Sequence, residues 1–181
     1  MVTSQVAMAL DRLVPSPEEF SIEAWARLLE KFEHRSIQFV GVDLPAGYFG
    51  ACIIVEEESV GVSGVLYPIT EYVVYSNCLP PSHREHVKAH ELAHIALGHS
   101  TLVLSPTEFV NWNPSSEPHS AFCWRASCAS DPSRKLQNDQ EAELLTRRVF
   151  QRVFAWQQKV GFRQRSSLQK LESALWRSQI D

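Results

Sequence analysis

The chain has 181 residues, of which 44% are hydrophobic and 21% are charged, and its formal net charge is −4. This length and composition predict a single domain over residues 1–181 with a hydrophobic core. The mild negative charge argues against a direct nucleic-acid partner, since nonspecific binding requires concentrated positive charge. The first residues lack the pattern of a signal peptide, and no apolar run approaches the roughly 20 residues that cross a bilayer. A cytoplasmic protein with no membrane partner is expected.

Helical and strand-like patterns follow one another over the first 75 residues. Apolar residues at helical spacing predict helices over residues 3–14 and 21–34. Runs rich in valine, isoleucine and aromatic residues predict strands over residues 37–42, 49–55, 60–67 and 72–75. The expected fold class is α+β, with a small mixed or antiparallel sheet.

The next predicted helix contains two histidines four residues apart, His90 and His94. Prolines precede this segment, and Gly98 is a typical helix stop. A step of four residues returns to the same helix face about 6 Å further along, so both imidazoles can bind one zinc ion. Glu91 lies about 100° round the helix, where it flanks the ion and can take a proton from the attacking water. His-Glu-x-x-His is the motif of a zinc peptidase.

A catalytic zinc needs a third protein ligand and one open position. In a metzincin that ligand is a histidine of the extended motif, but Leu97 and Ser100 stand at the glycine and histidine positions here. The metzincin pattern therefore does not match. His99 follows Gly98 and is expected at the helix end or at the rim of the site.

The remainder of the chain is predicted to be an irregular insertion followed by helices. Residues 100–138 carry no regular pattern, and a lid over the site and a surface insertion are equally compatible with them. A long amphipathic helix is predicted over residues 138–160, with Gly161 as its end, and a last helix from residue 166.

A carboxylate of the long helix is the expected third zinc ligand. Glu141 lies one turn before Leu145 on the core-facing stripe, and metal binding is one way to satisfy a carboxylate aimed at a core. Glu143 is the alternative ligand, although it stands four residues before Arg147 in the order of a surface ion pair. Asp139 is expected to begin the helix or to accept a hydrogen bond from a ligand imidazole.

The chain resembles the ImmA/IrrE family of zinc metallopeptidases. The resemblance rests on His90-Glu91-Leu92-Ala93-His94 with Leu97-Gly98-His99, and on Asp139-Gln140-Glu141-Ala142-Glu143-Leu144-Leu145, similar to the family's acidic-x-Glu-Ala helix opening. It implies a cytoplasmic protein with a zincin-like fold, in which a small sheet packs on the His-Glu-x-x-His helix and on a carboxylate-bearing helix. By position, His90, His94 and Glu141 would bind Zn²⁺, and Glu91 would be the general base. Several members cleave, or act beside, a helix-turn-helix repressor.

In zincin-like folds an edge strand beside the zinc helix pairs with an extended peptide substrate, and Glu71–Tyr75 is predicted to be that strand. The donor to the oxyanion stays open among Tyr72, Tyr75, His86, His99 and His119. The leading hypothesis is an intracellular zinc endopeptidase that cuts a regulatory protein, specifically a helix-turn-helix transcription regulator. The alternative is a binding module of the same fold that sequesters a repressor or toxin without cutting it. A purely structural zinc is less expected, because a closed site needs a fourth protein ligand.

Overall fold

A computed structural model describes residues 2–44, 47–55, 69–99, 102–111 and 132–177, with the backbone alone over 162–177. The strand expected over residues 60–67 and the candidate oxyanion donor His119 lie outside these ranges. The helices are α1 (Val2–Arg12), α2 (Ile22–Glu33), α3 (Pro81–Ala96), α4 (Pro106–Asn111) and α5 (Pro132–Arg177). The strands are β1 (Ser36–Val42), β2 (Gly50–Val55), β3 (Thr70–Ser76) and β4 (Leu102–Leu104). In the described part of the chain, no helix is both long enough and apolar enough to cross a bilayer.

The four strands form one mixed sheet in the order β1-β3-β2-β4. β3 pairs with β1 in parallel and with β2 antiparallel, and β4 pairs in parallel with β2. The expected α+β class with a small mixed sheet is therefore confirmed. The prediction that Glu71–Tyr75 forms an edge strand is wrong. This segment belongs to β3, whose backbone groups are already engaged on both sides, so it cannot pair with an added peptide.

The sheet separates a large core from a smaller one, because successive side chains of a strand point to opposite faces. Val73 of β3 is fully buried in the large core. That core also receives side chains from α1, α2, α3 and α5, among them Val6, Trp25, Leu29, Leu92, Leu145 and Val149. The adjacent Val74 points to the other face, where it packs with Ile53 and Val55 and with residues of β4 and α4. The zinc-motif helix α3 thus lies on the large-core side of the sheet.

Helix α5 is longer than predicted at both ends. It begins at Pro132, consistent with the preference of proline for the first helical position, and not at residue 138. It also continues through Gly161 to Arg177, so the prediction of two helices separated by that glycine is wrong. A glycine inside a helix costs only about 1 kcal/mol relative to alanine, and no proline follows this one to enforce a stop.

The segment from residue 100 to 138 contains regular structure that its sequence did not indicate. Strand β4, helix α4 and the first turns of α5 all fall within it, while residues 112–131 lie outside the described ranges. β4 has three residues and α4 has six, so neither is long enough to show a hydrophobic period.

Candidate metal centre

Gly98 folds the chain back at the end of α3. Leu97 caps the helix, and Gly98 adopts a φ of +64°, in the left-handed region. The amide of Gly98 donates to the carbonyl of Ile95, and the amide of His99 donates to the carbonyl of His94, each over 3.0 Å. These two bonds form a Schellman motif. The motif keeps His99 beside the last turn of the helix, next to His94.

The side chains of His90 and His94 converge, as their spacing predicted. Their Nε2 atoms are 3.1 Å apart and their ring centroids 4.9 Å apart. His94 is buried and His90 is half-buried. Both residues therefore present the same ring nitrogen to one place on the surface of α3.

Asp139 of α5 joins the two histidines at that place. Its Oδ1 atom lies 3.4 Å from Nε2 of His94, and one ligand atom from each of the three residues lies within 4.8 Å of the others. We call His90, His94 and Asp139 the ligand triad. Two imidazole nitrogens and one carboxylate oxygen form a ligand set that suits zinc and leaves a coordination position open.

Glu141, the predicted third ligand, is placed differently. The expectation that it lies on the core-facing stripe of α5 is met, since the residue is only 5% exposed. Its Oε2 atom, however, is 3.4 Å from Nε2 of His99, and its Oε1 atom accepts a 2.8 Å hydrogen bond from Gln137. This buried carboxylate contacts an imidazole outside the ligand triad.

The start of α5 explains why Asp139 faces the two histidines. Because the helix begins at Pro132, Asp139 lies about two turns inside it and not at its N-cap. Asp139 and Glu143 are four residues apart and share one face, whereas Glu141 points about 200° away from Asp139. A sequence signal for this face existed in the four-residue spacing of the two acids. It was not used because Asp139 was expected to begin the helix or to accept a hydrogen bond from a ligand imidazole.

Glu143 contacts the opposite nitrogen of His90. Its Oε2 atom lies 3.5 Å from Nδ1 of His90 and 3.2 Å from Nε2 of His86, and its Oε1 atom accepts a 2.7 Å hydrogen bond from Arg147. Partial burial acts to raise the pKa of the Glu143 carboxyl, but the Arg147 hydrogen bond and the two imidazoles outweigh it and lower that pKa. Glu143 is thus held as a carboxylate 3.5 Å from Nδ1 of His90, where the partner of a metal-binding histidine is commonly found.

Glu91 belongs to α3, and its side chain points toward Gly50, the first residue of β2. It is 2% exposed, and its Oε1 atom lies 3.2 Å from the position that a Cβ atom on Gly50 would occupy. Such a Cβ would also collide with Cγ1 of Val87, so only glycine allows the strand to approach α3 this closely. The thiol of Cys52, two residues along β2, donates to the carbonyl oxygen of Glu91 over 3.4 Å. The carboxylate of the predicted general base therefore lies close to the first residue of β2, and Glu91 directly follows His90 in the sequence.

The candidate oxyanion donors are dispersed. Tyr72 projects to the face of the sheet away from α3 and stacks on Phe109, with ring centroids 4.5 Å apart. Tyr75 lies on the α3 side, where the ammonium of Lys88 is 4.8 Å from its ring centroid. His86 contacts Glu143. Tyr72 is thereby removed from the set of donors that could act at the ligand triad.

Searches of protein-family models, curated proteins and solved structures return no match to this chain. The likeness to ImmA/IrrE peptidases therefore rests on the two sequence motifs, and the argument for function rests on the geometry of the site.

Proposed function

We propose that this chain is a zinc-dependent endopeptidase with a zincin-like fold, acting on a regulatory protein. The observation that carries the proposal is the ligand triad, in which two imidazole nitrogens and a carboxylate oxygen converge, with the buried Glu91 directly after His90 in the sequence. The resemblance to ImmA/IrrE peptidases adds the substrate class, a helix-turn-helix transcription regulator, and a cytoplasmic location.

Two of the separations between the donor atoms suit a zinc ion. Two ligands bound at about 2.0–2.1 Å in a tetrahedral arrangement lie about 3.3 Å from each other. The separations here are 3.1 Å between the histidine nitrogens and 3.4 Å between His94 and Asp139. Each histidine also has a neighbour at its Nδ1 atom, Glu143 for His90 and His99 for His94. A proton on Nδ1 leaves the Nε2 lone pair available for the metal.

When bound, zinc would polarise the scissile carbonyl and lower the pKa of water in the site. The protein's own part falls to Glu91, whose carboxylate accepts the proton of the attacking water and returns it to the departing amine. Burial at 2% exposure limits competition from bulk solvent at this carboxylate. Asp139 lies on α5, opposite the two histidines of α3, so α3 and α5 form the two walls of the site.

The substrate strand is proposed to pair with β2. β4 covers only Ile53–Val55 on one side of β2, and within the described residues the Gly50–Cys52 half has no strand on that side. The Gly50–Cys52 half begins at the glycine on which an added Cβ would lie 3.2 Å from Oε1 of Glu91. An extended peptide added there gains main-chain hydrogen bonds while its backbone passes the general base.

Crosslinking tests this placement. A substrate peptide with a photoreactive side chain, bound to the Glu91→Gln variant, should label Gly50–Cys52 and the adjoining part of α3. The matched control is the same peptide with a proline at its central position, because proline lacks the backbone N–H that would donate a hydrogen bond to β2. Labels concentrated on Thr70–Ser76 would instead show that the substrate does not use β2.

Metal content and peptide hydrolysis test the function itself. Wild type should bind about one zinc per chain, and Asp139→Asn should lose most of it because an amide is a poor zinc ligand. Glu91→Gln should keep the metal and lose about 10²- to 10⁴-fold in turnover, the usual contribution of a general base. Full turnover by Glu91→Gln would rule out the mechanism. A metal-binding wild type that never cuts but still captures a helix-turn-helix regulator would indicate a binding module.

A further inference from the structure

His99 and Glu141 form a buried chain of contacts behind His94, on the side away from the other members of the ligand triad. Nδ1 of His99 lies 3.0 Å from Nδ1 of His94, and Nε2 of His99 lies 3.4 Å from Oε2 of Glu141. The other oxygen of Glu141 accepts the amide of Gln137 over 2.8 Å. The side chains of His94, His99 and Glu141 are 6–7% exposed. Water therefore has little access to replace these contacts.

We propose that His99 and Glu141 are positioning residues that fix the ring orientation and the tautomer of His94, and that Glu141 is not a metal ligand. The proposal rests on the metal site proposed above and assigns a role to two residues that neither bind the metal nor contact the substrate. We call His94, His99 and Glu141 the imidazole relay.

The positions of the protons follow from the contacts. If Nε2 of His94 carries the lone pair for the metal, its proton is on Nδ1 and is donated to Nδ1 of His99. His99 must then accept at Nδ1 and carry its own proton on Nε2, which faces Glu141. A carboxylate can only accept, so Glu141 fixes the direction of the whole relay. With both rings neutral, the contacts with His99 and Glu141 are consistent with the arrangement that points the lone pair of His94 at the ligand triad.

The geometry also separates the relay from the metal-binding group. His99 approaches His94 through the Nδ1 atoms, while the Nε2 atom of His94 faces His90 and Asp139. The two ring nitrogens of an imidazole point in different directions, so His99 and Glu141 lie behind the ligand and not around the ion. The direct partner of a ligand imidazole typically contributes 10- to 100-fold to metal affinity, and that partner is His99, which Glu141 contacts in turn.

Zinc affinity of four variants, measured by competition with a chromophoric chelator, tests the relay. His99→Phe keeps a ring but removes both nitrogens, and should lower affinity about 10- to 100-fold. Glu141→Ala should have a similar effect. Glu141→Gln keeps a carbonyl acceptor for His99 and should stay close to wild type. Asp139→Asn is the reference for a lost ligand and should show the largest loss.

Two further measurements separate positioning from general damage to the fold. The visible absorption of the Co²⁺ forms reports ligand geometry, and it should change in His99→Phe but not in Glu141→Gln. Nitrogen NMR of the histidine rings in the metal-free wild type should show the Nδ1–H tautomer for His94 and the Nε2–H tautomer for His99. Thermal unfolding of each metal-free variant shows whether it is folded before its affinity is compared.

The outcomes discriminate between the relay and the proposed function. If Glu141→Gln loses zinc as completely as Asp139→Asn, Glu141 is a ligand and the relay is overturned. If Asp139→Asn loses zinc while His99→Phe and Glu141→Ala keep wild-type affinity, the metal site stands and the relay alone is wrong. A wild type without zinc affinity contradicts the proposed function. The opposite tautomers in the metal-free protein contradict the relay directly.

Discussion

At Gly50 the backbone of β2 comes so close to α3 that a single methyl group would disturb the site. The added Cβ would collide with Val87 and would lie 3.2 Å from Oε1 of Glu91. Protein interiors are close-packed, so a small added volume is transmitted to the neighbouring side chains. One glycine therefore links the position of the sheet to the position of the proposed general base.

Gly50→Ala should lower the free energy of unfolding by about 1–3 kcal/mol, the usual cost of overpacking a core. It should also reduce turnover more than zinc affinity, because Glu91 is displaced while the ligand triad is not. Chemical denaturation and metal competition measure the two effects. The double variant with Val87→Ala removes the colliding methyl group and should recover part of the stability. Additive losses in the double variant would show that this collision is not the cause.

The placement of Glu141 shows what could and could not be read from single residues. Its burial followed from the four-residue spacing to Leu145, and the structure confirms it. Its partner did not follow, because His99 reaches it only through the left-handed turn at Gly98. A hydrophobic period indicates which side chains face inward, but the partner of a buried carboxylate depends on the path of another segment. His90 and His94 were predictable since both lie within one helix.

At the scale of elements, the end of α3 depends on one residue with a positive φ. A Cβ atom on Gly98 would meet no atom within 4 Å, so a substitution there would cause backbone strain without a steric clash. Gly98→Ala should cost about 1–2 kcal/mol in stability, and Gly98→Asn should cost less because asparagine tolerates the left-handed region. Thermal unfolding of both variants shows whether Gly98→Ala loses more stability than Gly98→Asn. Equal losses would argue against strain at this residue.

In helix α5, replacement of Gly161 by alanine is expected to raise stability, in contrast to replacement of Gly98. Gly161 lies inside the helix, and a Cβ atom there would also meet nothing within 4 Å. Gly161→Ala should therefore stabilise the protein by up to about 1 kcal/mol, because alanine has the higher helix propensity. A rise in the unfolding midpoint confirms a continuous helix. A fall would show that this glycine ends a helix in the left-handed conformation, as its sequence first indicated.

Helices and strands with a strong period were predictable, and short or interrupted ones were not. The pattern of residues 21–34 matches α2, and Ser21 caps that helix by accepting the amide of Ala24. The interior position of β3 was not predictable, since strand order depends on which later segments pair with β1 and β2. The expectation that Asp139 begins the helix was wrong for a related reason, whereas its expected contact with a histidine of the motif is present. Its role depends on where α5 begins, and helix boundaries are the least certain part of a sequence pattern.

At the scale of the whole molecule, the ligand triad joins two helices that are distant in sequence. His90 and His94 come from α3, and Asp139 follows His94 by 45 positions on α5. A ligand that binds only the folded protein stabilises it by mass action, by about 2.7 kcal/mol at a free concentration of 100 times Kd. The metal is thus expected to act on the stability of the whole fold as well as on the reaction.

Removal of zinc with a chelator should lower the unfolding midpoint of the wild type, and re-addition should restore it. Asp139→Asn should have a midpoint that does not respond to either treatment, because the triad is incomplete. Glu91→Gln should respond as the wild type does, since it keeps all three ligands. Calorimetry across a range of zinc concentrations measures these shifts. If the unfolding midpoint of Asp139→Asn still responds to zinc, the metal binds at residues other than the ligand triad.

The separation of α3 and α5 along the chain also has a kinetic consequence. In an extended chain the imidazoles and the carboxylate are far apart, so little of the metal's binding energy is available before the two helices meet. Interactions that are absent from the transition state slow unfolding and leave the folding rate nearly unchanged. Zinc is therefore expected to lower the unfolding rate of the native state and to leave the folding rate nearly unchanged. If the proposed zinc site is occupied in the cell, withdrawal of the metal would shorten the lifetime of the folded protein.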